Sequence, residues 1–156
     1  MKNDAREGAA RSGDRRRGRV AALQMLYQWE VGRVPMPEVR RMYWDGDDER
    51  GDPSDCSRSF ATTLADGTVE HVAEIDPLIE ASAEHWRVAR MPVMDRLILR
   101  LAVYEFLYER ETPPAVVIDE ALELAKQFST LEAARFVNGV LDAVRKRLQP
   151  DTSTRV

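Results

Sequence analysis

A chain of 156 residues with 44% hydrophobic composition can bury one real core and is too short for two ordinary domains. A formal charge of −4 argues on its own against a nucleic-acid partner, and the single cysteine, Cys56, excludes an internal disulfide and a cysteine-built zinc site. No run approaches the roughly 20 apolar residues of a membrane span and the polar N-terminus lacks a signal-peptide pattern, so the expectation is a cytoplasmic chain without a membrane partner.

The charge is unevenly placed. Residues 1–19 carry seven basic side chains against three acidic ones, a net +4, which leaves −8 for the remainder. That asymmetry predicts a local anion-binding end on an acidic body. Residues 1–14 mix charge, glycine, alanine and serine without periodicity and read as a disordered basic extension. The first helix is predicted from about Arg15 to Val31 and stops at Gly32. Val20, Leu23 and Tyr27 form one of its stripes, and Ala22, Met25, Leu26 and Trp29 form another, so protein covers most of its surface.

A short helix follows Pro35 and Pro37 and is expected to bury Val39 and Met42. Residues 45–55 read as an acidic loop that lacks the ligand spacing of a calcium site. A third helix runs from about Ser57 to His71, with Phe60 and Leu64 inward, and a fourth is expected to start at Asp76-Pro77, a cap followed by proline. Pro92 opens the most apolar helix, which runs to about Arg110. It is apolar on two nearly opposite sides, as suits the middle of a bundle. The next helix, about Ala115 to Phe128, contributes Ile118, Leu122 and Ala125. Ser129-Thr130-Leu131-Glu132 fits a capping box with the serine as cap, launching a last helix through about Leu148 before a tail at 149–156. No alternating strand pattern and no fixed-period repeat occurs. The fold class is therefore all-α, a bundle of about seven helices, with the core domain at 15–148.

Catalytic and cofactor patterns are missing. His71 and His85 lie on different elements without a metal-ligand spacing, and Asp119, Glu120 and Glu123 read as a solvated helix face. There is no glycine-rich phosphate loop and no nucleophile elbow. Neither an enzyme nor a cofactor is expected. Binding features are stronger. Arg15, Arg16, Arg17 and Arg19 can pair with phosphates and release counterions, though composition alone leaves a solvated tail equally open. On the last helix Phe136 sits at the edge of the apolar arc beside Asn138 and Arg135. It reads either as a core residue or as a platform for an RNA base. Gly139 in mid-helix costs about 1 kcal/mol against alanine, which fits a ligand or a backbone coming close. Arg100 falls inside an apolar arc with Arg96 at its edge, and either a salt bridge or an RNA contact accounts for it.

Four segments together carry a family resemblance: Arg15-Arg16-Arg17-Gly18-Arg19 running into Ala22–Trp29, then Asp95–Glu105, Ile118–Lys126 and Arg135–Asp142. In this order, over about Arg15 to Leu148, they closely resemble the NusB family of bacterial transcription antitermination factors. The resemblance implies two roughly perpendicular helical subdomains, with a break near the acidic loop and Pro92. It also implies binding of boxA-containing nascent RNA together with the ribosomal protein NusE, within the RNA polymerase antitermination complex that reads through terminators in rRNA operons. It further implies that Arg15, Arg16, Arg17 and Arg19 are the arginine-rich RNA-binding segment and that Gln24, Arg100, Lys126, Arg135, Phe136 and Asn138 are further RNA-facing positions. Tyr27 and Asp95 are the implied NusE contacts, Asp95 standing where the family commonly has the longer glutamate. The alternative from another class is a helical protein-interaction scaffold without specific RNA binding.

Overall fold

The computed structural model describes residues 2–45 and 55–149, so the acidic loop between Asp45 and Asp55 and the tail from Pro150 lie outside them. Among the described residues there are seven α-helices, one 3-10 turn at Val88–Arg90, and no strand. The helices are α1 (Lys2–Gly32), α2 (Met36–Asp45), α3 (Asp55–Glu70), α4 (Val72–Ser82), α5 (Val93–Tyr108), α6 (Pro114–Phe128) and α7 (Leu131–Leu148). The chain divides into two units, Met1–Val69 and Glu70–Val156. The division falls where α3 gives way to α4 rather than at the acidic loop or Pro92.

In the first unit α1 begins at Lys2 instead of near Arg15. No proline precedes Pro35, so no residue forbids the helix earlier, and Ala5, Ala9, Ala10 and Arg11 are good helix formers that offset Gly8 and Gly13. Its buried stretch is Ala21, Ala22, Leu23, Met25 and Leu26. Gly32 is its last residue, yet the left-handed conformation falls on Arg33, with φ at 54°. Glu38 and Val39 then donate their backbone N–H groups to the Pro35 carbonyl, both at 3.0 Å, which opens α2. That helix buries Met36, Val39 and Tyr43, while Met42, expected inside, is 51% exposed. Tyr43 sets the stripe: its hydroxyl donates to Gln24 Oε1 at 2.6 Å and turns Met42 to the edge. Ala61, Leu64 and Ala65 are the buried side of α3, and Arg40 of α2 pairs with Asp66 of α3 at 3.1 Å.

In the second unit α5 is the central rod, as its two-sided apolar pattern predicts. Every residue from Leu97 to Glu105 is buried, and α4, α6 and α7 all pack against it. α4 begins at Val72, so Asp76-Pro77 is inside the helix and is not its cap. Pro77 has no N–H to offer its fourth-preceding carbonyl and occupies an exposed position. The Asp76 carboxylate instead receives Arg100 Nε and Nη2 of α5, each at 2.9 Å. The α7 cap is shifted by one residue. Thr130 Oγ1 accepts the Ala133 N–H at 3.0 Å, whereas the Ser129 hydroxyl donates to Asp95 at 2.9 Å. At the other end of α5, Tyr108 donates to Glu74 at 2.6 Å, and that carboxylate, followed by burial, holds the phenol above its ordinary pKa.

Candidate nucleic-acid interface

At about 100° per residue, Arg15 and Arg19 point to one side of α1 and Arg17 to the other. The structure follows that division. Arg16 and Arg17 are exposed, Arg15 is half-buried, and Arg19 is only 3% exposed. Arg17 is 68% open at its side chain and meets Asp14 at 3.4 Å, a surface pair that binds it weakly. Arg15 and Arg19 turn towards α3, where their guanidinium carbons lie 5.0 and 5.3 Å from the centre of the Phe60 ring. Phe60 was legible only as an inward apolar residue, because a stacking partner forty residues away leaves no local pattern.

Gln24 lies one helical stretch further along α1, with its carbonyl oxygen held by Tyr43. Tyr27, which the sequence stripes assigned to the interior, is exposed, and so is Val31 four residues on, which gives α1 an apolar spot.

The second unit carries the other candidates. Arg135 and Asn138 are exposed on the same side of α7, and Lys126 is exposed at the end of α6 with Glu123 at 3.6 Å. Further along α7, hydrogen bonds from Arg145 at 2.8 Å and Lys146 at 3.0 Å hold the Asp142 carboxyl below its usual range. Phe136 is half-buried and meets Trp86 edge-on, with ring centres 6.4 Å apart. The two rings border a cavity of about 430 Å³, lined also by Met91, Pro92, Asp95 and Ser129. Asp95 is 6% exposed and lines that cavity. Trp86 itself is half open to solvent and was not singled out by the sequence, since a lone tryptophan between helices has no periodic signal. Arg100 is buried, with its guanidinium fork on Asp76. The salt-bridge reading describes its surroundings, and the structure does not place it with Arg135 and Asn138 on the surface.

The two helical glycines in these regions differ in what surrounds them. A Cβ at Gly18 would meet Phe60 Cδ1 at 2.9 Å and the Ser57 carbonyl at 3.2 Å, whereas one at Gly139 would meet nothing within 4 Å. Gly139→Ala is expected to raise stability by about 1 kcal/mol through helix propensity. Gly18→Ala should fall below it by about 1–3 kcal/mol, because overpacking offsets the same gain. Thermal unfolding of both variants measures the difference; equal melting temperatures would show that α3 yields freely at Gly18.

The NusB family model matches residues 16–146. The transcription antitermination protein NusB of Solibacter usitatus is 49% identical over 136 residues, 86% of this chain and 90% of that protein. Its counterpart in Koribacter versatilis is 44% identical over 141 residues, 90% of this chain and 94% of that one. Among solved structures, T. maritima NusB aligns with a TM-score of 0.73 at 38% identity, covering 85% of this chain and 90% of the other. A crystal structure of the antitermination factors NusB and NusE in complex with dsRNA aligns with a TM-score of 0.75 at 29% identity, covering 86% and 97%.

Proposed function

The chain belongs to the NusB family, and from that premise we propose that it is a cytoplasmic transcription antitermination factor that holds boxA-type nascent RNA jointly with NusE. In this reading it serves the RNA polymerase complex during processive transcription of rRNA operons. The observation that carries the RNA half is the outward pair Arg16 and Arg17 on a packed helix, with Arg15 beside them. Guanidinium forks match phosphate oxygens, and clustered cations release condensed counterions on contact. Lys126, Arg135 and Asn138 are the proposed RNA contacts of the second unit, with the Phe136 edge as a surface for a base. Tyr27 is the proposed NusE contact on α1. Arg19 and Arg100 support the fold beneath these groups.

The test is a titration with labelled boxA RNA alone, with NusE alone, and with both. NusE is expected to tighten RNA binding, and RNA to tighten NusE binding by the same factor, as linkage requires for two ligands of one platform. An RNA affinity indifferent to NusE would overturn the joint platform. Binding of NusE without any binding of RNA would leave only a protein scaffold.

A further inference from the structure

We propose that Phe60 is a positioning residue for RNA binding: its ring holds Arg15 and Arg19 in place, so that RNA meets an arginine segment already ordered on the helix. The proposal rests on the RNA-binding reading above and adds to it a residue on a different helix.

Three observations support it. The guanidinium carbons of Arg15 and Arg19 lie 5.0 and 5.3 Å from the centre of one ring, inside the range where the aromatic face attracts a cation. Their i, i+4 spacing is what lets two side chains of α1 share that face. The ring is also close against the helix that carries them, since a Cβ at Gly18 would stand 2.9 Å from Phe60 Cδ1. Finally, Ser57 of α3, which is buried, donates its hydroxyl to the Asp14 carbonyl at 3.0 Å, so α3 is fixed to the very turn from which the arginines emerge.

The consequence for binding is one of order. A free arginine has many rotamers, and fixing them on contact with RNA reduces affinity. Arg19 is buried and acts as part of the frame, while Arg15 keeps partial access to solvent and is the member that the ring presents. A stacked guanidinium leaves its edge N–H groups, not its face, directed to a phosphate. An aliphatic residue of similar bulk fills the same space without attracting either cation.

The experiment compares Phe60→Tyr, Phe60→Leu and Phe60→Met in the full chain, each checked for native helicity and melting temperature, by titration with labelled boxA RNA across a salt series. Tyr is expected to bind within about twofold of the parent, and Leu and Met about three- to tenfold more weakly, the scale of a cation–π contact. Adding Arg15→Ala to Phe60→Leu should weaken binding less than Arg15→Ala does in the parent, because the two changes remove one arrangement. Leu or Met binding as well as the parent would overturn the proposal, as would Tyr binding as poorly as Leu. A parent chain that binds no boxA RNA would overturn the functional reading itself, a result distinct from equal binding by parent and variants. Should Leu fail to fold, the Met and Tyr pair decides.

Discussion

Replacing Asp76 with alanine is expected to destabilise the second unit by about 3 kcal/mol, seen as a lower urea midpoint without a loss of helices under native conditions. The reason is what would remain. Arg100 is 7% exposed, and its guanidinium meets the Asp76 carboxylate with two parallel bonds of 2.9 Å. Without the carboxylate, a cation stays in the protein interior with its principal counter-charge gone. Breaking a fully buried pair costs about 3–5 kcal/mol, and the partial exposure of Asp76 places this one at the lower end. The double replacement Asp76→Leu with Arg100→Met should recover most of the loss, because it removes both charges and keeps apolar bulk. A urea midpoint unmoved by Asp76→Ala would mean that Arg100 finds equivalent support elsewhere, and its reading as part of the fold would fall.

The second large effect is expected on RNA binding. Arg16→Ala with Arg17→Ala should lower affinity for boxA RNA by about ten- to a hundredfold at moderate salt and reduce the slope of log affinity against log salt by about 2. Its melting temperature should stay near that of the parent, since both side chains are exposed and the Asp14 contact of Arg17 is a weak surface pair. Arg19→Ala should behave in the opposite way. Its side chain is buried against Phe60, so the variant is expected to lose stability while its salt slope changes little. These two signatures separate a phosphate contact from a framework residue within a single run of five residues. If Arg16→Ala with Arg17→Ala binds RNA with an unchanged slope, the exposed arginines are not the anchoring cations.

What could be read from the sequence follows the range of the interactions involved. The seven helices were legible because their apolar spacing recurs every turn, and α5 was legible as a central helix because it is apolar on two sides. Local signals misled where a distant partner outweighed them. Asp76-Pro77 has the form of a helix start, but the aspartate serves a guanidinium on another helix, 24 residues away. Ser129 has the form of a cap, but the buried Asp95 takes its hydroxyl and Thr130 caps instead. The arginine cluster was legible as charge, and helical spacing divides it into two sides, but which side packs depends on Phe60 of α3 and was not legible. Trp86 and Val31 carried no signal at all, because a side chain left uncovered by folding does not differ in sequence from one that is covered.

The hydrogen bond between Tyr43 and Gln24 fixes more than the position of a helix. The tyrosine hydroxyl donates to the amide oxygen at 2.6 Å, so the oxygen end of the Gln24 side chain is turned towards α2 and the nitrogen end away from it. An amide free to rotate would greet donors and acceptors alike. This one is polarised in a single sense: whatever group approaches from the far side meets N–H, and is welcomed only if it brings a lone pair. A phenol on α2 thereby sets the hydrogen-bond polarity that α1 carries at Gln24.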